Sequence, residues 1–138
     1  MSDFKGCPYP IRRHPLGLLH VERGINQIKA DLLILLLTNP GERVMLPRFG
    51  TPLRRLVFEP NDSTLKEQAR EMIINSIRTW EPRITVDAIE VTNSWDEFSP
   101  DDPREDVDHI LGIRIRFFDP ENLKDVQELV LEMPLGGN

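Results

Sequence analysis

The chain has 138 residues, 39% hydrophobic and 29% charged, the composition of an ordinary globular protein about one domain long. Seventeen Lys and Arg against 23 Asp and Glu leave a net charge of −6, so no general attraction to nucleic acid or anionic lipid is expected. The single Cys7 cannot close an intrachain disulfide, and no array of cysteines and histidines could hold a structural zinc, so folding has to rest on an apolar core.

In chain order, residues 1–21 carry three prolines, two glycines and paired arginines with no sustained period. They read as an irregular arm that orders against a partner. No apolar stretch with a small-residue cleavage site is found there, so no secretory signal is read and residence in a cytoplasm is expected. Over 22–38 the pattern changes: Ile25, Ile28, Leu32, Leu35 and Leu36 recur at spacings of three and four, and Asn39-Pro40-Gly41 stops the helix. Leu33, Ile34 and Leu37 widen its apolar surface, which predicts burial on more than one side. The continuous apolar run at 32–37 falls well short of the roughly 20 residues that span a bilayer, so it is a core segment.

Residues 40–50 read as a turn-rich loop. Thr51 is suited to cap a short helix with Pro52 at its first position and Leu53, Leu56 and Val57 facing inward. Asn61, Asp62, Ser63 and Thr64 offer N-caps for a second long helix, whose inward face is Leu65, Ala69, Met72, Ile73, Ile77 and Trp80. After Pro82 the period switches to two. A first strand runs through Ile84, Val86, Ala88, Ile89 and Val91, a second covers about 110–118, where Ile113, Ile115 and Phe117 alternate with Arg114 and Arg116, and a third covers about 126–133. Val126, Leu129 and Leu131 cannot share one face of that third strand without a bulge or a second buried side. Between the first two strands, 93–109 hold Asp96, Glu97, Asp101, Asp102, Glu105, Asp106 and Asp108 against Arg104, which reads as a solvated loop. The expected fold is therefore α+β, with two main helices and a short one packed on a sheet of about three strands, in one domain over 22–135.

Two motifs stand out, Leu36-Leu37-Thr38-Asn39-Pro40-Gly41-Glu42-Arg43 through Phe49-Gly50-Thr51-Pro52-Leu53, and Trp80-Glu81-Pro82-Arg83-Ile84. With Leu56-Val57-Phe58-Glu59-Pro60 they resemble the contractile-tail baseplate wedge family, also called the sheath-initiator or tail-lysozyme-like family, over about 22–118. The family pattern has an acidic residue where this chain has Arg48. The resemblance implies a structural protein of a sixfold baseplate, built into a virion tail, a phage-derived particle or a type VI secretion apparatus and assembled in the bacterial cytoplasm. It implies docking on core wedge subunits through Glu81-Pro82-Arg83, and a sheet that accepts strands from the tail sheath protein.

Each of these residues also has a plainer reading. Glu81-Pro82-Arg83 alone could be a surface corner with an ion pair worth about 0–1 kcal/mol. In the loop, Gly41 and Gly50 supply φ values that other residues avoid, while Arg43 and Arg48 are available to touch a neighbouring subunit. Leu36 and Trp80 lie on the apolar stripes of their helices and read as core. The third strand, with Val126, Leu129 and Leu131, is the candidate edge for strand addition, and Pro134 limits the ladder.

The alternative is a small muramidase, because a lysozyme label is attached to the family and glycoside hydrolysis needs two carboxylates, for which Glu59 and Glu81 are the candidates. A domain this small leaves little room for a saccharide cleft. His14, His20 and His109 form no metal or triad pattern, the acidic loop lacks the ligand order of a calcium loop, and no metal or cofactor is expected.

Overall fold

Gly24 decides where the first helix begins. Its φ of 62° turns the chain out of a short strand and into α1, Ile25–Leu37. The helix therefore starts three residues later than the periodicity suggests, because Glu22–Arg23 is committed to strand β2, paired antiparallel with β1, Lys5–Gly6. These details come from a computed structural model that describes residues 5–17, 19–59, 63–93 and 110–134. The segment expected to be an irregular arm thus carries backbone pairing of its own. Arg13 and Leu19 also form a β-bridge, and the His20 amide donates to the Arg12 carbonyl at 3.0 Å. Gly6 sits so close to Gln27 of α1 that a Cβ there would overlap the Gln27 side-chain amide.

Ile28, Ala30, Leu32, Leu35 and Leu36 of α1 are buried, and Leu33 packs partly buried against the same core. Thr38 ends the helix by turning both its amide and its hydroxyl onto the Ile34 carbonyl. Leu53–Phe58 is a 3-10 helix with Leu53 and Leu56 fully inside. Thr51 does not cap it: its hydroxyl instead donates to the Leu35 carbonyl, at 3.2 Å, tying the loop to the end of α1. Helix α2, Ser63–Trp80, buries Leu65, Ala69, Ile73, Ser76 and Ile77 along one face. Asn61 and Asp62 lie outside the described residues.

Three strands follow in an antiparallel sheet of order β3-β4-β5: β3, Thr85–Asn93; β4, Ile110–Asp119; and β5, Asn122–Pro134. The central β4 places Leu111, Ile113, Ile115 and Phe117 under the helices, all essentially without exposure, and turns Arg114 and Arg116 to the other side. That is the alternation of a sheet with one covered face. In β3 a register shift between Val86 and Ala88 changes the parity, so Val86 and Ile89 both reach the core.

The conflict expected in β5 is settled differently. The register from Val126 to Pro134 is unbroken; Leu129 and Met133 are buried, while Val126 faces outward, half exposed, beside Val130. No bulge is needed, because Val126 does not belong to the core face. The solvent face carries a charge ladder, with Arg114 between Glu128 at 2.8 Å and Glu90 at 3.7 Å, and Arg116 facing Asp87 at 3.5 Å. The α+β class is as expected, with the β1-β2 pair added. Apart from Asn93, the expected acidic loop at 93–109 lies outside the described residues, as does His109.

Candidate docking corner and sheet edge

Helix α2 ends when the Glu81 amide closes a last hydrogen bond to the Ile77 carbonyl, and Pro82 then forbids another turn. The chain turns through Pro82 and Arg83 before β3 begins. This places Glu81 inside the protein, only 4% exposed, and leaves Pro82 exposed. A buried carboxylate needs a partner, and Arg83 provides it: Nε and Nη2 donate to the two Glu81 oxygens, each at 2.5 Å. Nη2 also donates to Asp31 Oδ2 of α1 at 2.6 Å, and the other Asp31 oxygen accepts from Gln27 Nε2 at 2.8 Å. The two carboxylates push the Arg83 guanidinium well above its ordinary pKa, Glu81 contributing most, against a desolvation that acts the other way.

The corner is thus a clasp across the fold. Gln27 and Asp31, one turn apart on α1, connect through Arg83 to the α2-β3 junction. Sequence reasoning singled out Glu81, Pro82 and Arg83 but missed Asp31 and Gln27. The available signal was a polar pair at i and i+4 within a helix otherwise apolar over much of its surface.

Beside the corner lies the 40–50 loop, closed by backbone hydrogen bonds from Gly41 to Pro47 at 2.8 Å and from Thr51 to Thr38 at 2.9 Å. Glu42 accepts from the Asn39 amide and from its side chain, and these two bonds, the backbone one first, hold its carboxyl below the usual glutamate range. Arg43 lies over the Phe49 ring, 4.4 Å from its centroid, and Phe49 meets Trp80 edge to face at 5.3 Å. The stack runs from the loop to the residue preceding Glu81. Arg48 is exposed. At the tip, Val44 is 93% and Met45 90% exposed, a feature that nothing in the sequence pattern announced. Leu36 is core, and Trp80 is partly buried against it.

Strand β5 is paired only to β4 and forms one edge of the sheet among the described residues. Val126, Leu129 and Leu131 all lie on this edge strand, the first facing solvent and the other two toward the core side. Glu59, the other carboxylate considered for hydrolysis, is exposed at the end of the 3-10 helix. No helix is long and apolar enough to cross a membrane, and no group of three or more His, Cys, Asp or Glu is placed to hold a metal among the described residues.

The family model described as baseplate wedge protein gp25 matches residues 22–117. The chain belongs to the gp25 baseplate wedge family. Proteins of this family are structural components of contractile-tail baseplates. Baseplate wedge protein gp25 of Enterobacteria phage T4 is 28% identical over 110 residues, covering 80% of this chain and 75% of that protein. Among solved structures, a Geobacter sulfurreducens protein provisionally described as a tail lysozyme superposes with a TM-score of 0.64 at 26% identity, covering 80% of this chain and 90% of that one. A chain of the anti-feeding prophage baseplate matches with a TM-score of 0.64 at 18% identity, covering 98% and 88%, and shares the fold. The gp25-family match spans the motifs that carried the resemblance, from β2 to Phe117 of β4.

Proposed function

We propose that this chain is a non-enzymatic wedge subunit of a contractile injection machine. In this reading it docks on core wedge subunits through the Glu81-Pro82-Arg83 corner and the adjoining 40–50 loop, and it starts the sheath by accepting a strand at β5. The observation that carries the reading is β5 itself, a 13-residue strand paired on one side only among the described residues. An edge of that length is a template for β-augmentation, in which the main chain supplies affinity and the alternate side chains supply register.

The chemistry of β5 describes the strand that would fit. On the covered face, Leu129, Leu131 and Met133 ask for apolar residues at every second position. On the solvent face, Glu128 is engaged by Arg114, Val130 offers an apolar contact and Glu132 favours a cationic residue opposite it. Arg43, Arg48 and the apolar tip of the loop offer a basic, apolar surface to the core wedge, with Pro82 exposed beside the clasp. The assembled protein would sit in the virion baseplate in a sixfold arrangement, built in the host cytoplasm, with no cofactor.

The muramidase reading gains no support from the geometry. An acid catalyst must reach the glycosidic oxygen, whereas Glu81 is buried with both oxygens facing Arg83. The test is an affinity capture of the tagged chain from particle-producing cells. Wild type should recover sheath and wedge proteins; a variant with Val126→Asp and Val130→Asp, both on the exposed face of β5, should lose sheath alone, and one with Arg48→Glu should lose wedge proteins alone. Recovery of neither by wild type, with clearing of a peptidoglycan suspension, would overturn the reading.

A further inference from the structure

The three-stranded sheet has two ends, β3 and β5, and pairing alone does not distinguish them as templates. An incoming strand needs a straight row of backbone N–H and C=O groups with nothing bonded to them. On β3 that row is broken. The register with β4 shifts between Val86 and Ala88, which kinks the start of the strand and leaves a continuous run from Ala88 to Asn93. Three residues beyond the start of that shift, the Ile89 carbonyl accepts from two nitrogens of Arg70 on α2, Nε at 3.1 Å and Nη2 at 2.7 Å. A carbonyl has two lone pairs, so this one has none left for a neighbouring strand.

The clamp is held in place. Arg70 Nη1 lies 3.7 Å from Glu67 Oε1, one turn earlier on α2, so all three guanidinium nitrogens have partners. The planar fork makes such a double contact with little further loss of freedom, which a lysine ammonium cannot reproduce. By contrast, the register of β5 with β4 is unbroken from Val126 to Pro134, and among the described residues no side chain is bonded to the β5 backbone.

We propose that Arg70 closes the β3 edge, so that the sheet accepts a strand at β5 alone. The inference rests on the strand-acceptance reading above and adds which edge is used and what forbids the other. Its physical consequence is closure. A sheet open at both ends can stack β3 of one molecule on β5 of the next without limit, a head-to-tail contact that generates filaments. Blocking one end leaves a single acceptor for an apolar-alternating segment of the sheath protein and removes that route.

The test is backbone hydrogen exchange on the full chain, free and in complex with its sheath protein, for wild type, Arg70→Ala and Arg70→Lys. In wild type, sheath binding should slow exchange in β5 and leave β3 unchanged. In both variants β3 should also become protected, with a second donated strand per chain. Arg70 is half exposed, so the variants are expected to fold; Glu67→Gln, which loosens the clamp without removing it, should give a smaller gain at β3. Protection of β3 by sheath in wild type, or protection confined to β5 in Arg70→Ala, would overturn the role of Arg70 while leaving strand acceptance intact. Protection of neither edge in wild type would overturn both.

Discussion

Arg83 Nη2 and Asp31 Oδ2 meet at 2.6 Å although the two residues are 52 positions apart in the chain. The contact joins the first helix to the corner after the second, and it does so beside a glutamate that is almost fully buried. Arg83 therefore has a structural role whatever it touches in an assembly. Removing it leaves the Glu81 carboxylate inside the protein without its cation.

That asymmetry gives the first prediction. Arg83→Ala should destabilise the protein by about 3–5 kcal/mol in urea unfolding, because breaking a buried pair strands the remaining charge. The double change Glu81→Leu with Arg83→Met should recover most of that loss. A double variant as unstable as the single one would show that the cost comes from Arg83 packing and not from the unpaired Glu81. Asp31→Asn keeps the clasp neutral on α1 and should cost only about 1–2 kcal/mol. It is the milder probe of docking.

The loop tip separates binding from stability. Val44 and Met45 are almost entirely exposed, so Val44→Ser with Met45→Ser should leave unfolding stability within about 0.5 kcal/mol of wild type. The same variant should recover less wedge protein in affinity capture. Unchanged capture would remove the tip from the docking surface.

Gly50 has a φ of 123°, and a Cβ there would overlap the Thr38 carbonyl that anchors the loop. Gly50→Ala should therefore cost at least about 1–3 kcal/mol, the range for a residue held in a disfavoured region. The measurement is thermal unfolding, compared with Gly41→Ala, where the space around the glycine is open. Equal losses at the two sites would point to φ alone rather than the close approach to Thr38.

The Glu42 carboxyl titrates below the usual glutamate range because its charged form accepts from Asn39, the backbone amide first and the side chain second. Its folded pKa is depressed, so its contribution to loop order is present above the ordinary glutamate pKa and is lost as pH falls through the lower folded value. The Asn39 amide resonance should move with that transition in an NMR titration, and Glu42→Gln should abolish the movement. An Asn39 shift that persists in Glu42→Gln would assign it to another group.

Helix and strand periods are short-range properties, and they placed the elements well. The apolar spacings of α1 and α2 and the alternation in β4 identified Leu32, Leu36, Ile73, Ile77, Ile113 and Phe117 as interior, and all are buried. The motifs around Phe49-Gly50 and Glu81-Pro82-Arg83 were sufficient to point to the family that the comparison shows. The start of α1 was legible only in part, because Glu22 and Arg23, which the apolar pattern takes into the helix, pair instead with Lys5–Gly6, and no local pattern encodes a partner sixteen or more residues away.

What the sequence determined by itself is the helices, the three strands of the main sheet, most of their inward stripes and the family, since these follow from spacing along the chain. The tertiary structure decided the rest: that Val126 faces solvent, that Asp31 and Gln27 complete the Arg83 clasp, and that Arg70 of α2 binds the carbonyl of Ile89 on one sheet edge. Each depends on register between strands or on which side chains two packed elements bring within hydrogen-bonding distance, and those are set by the whole core, not by any local stretch.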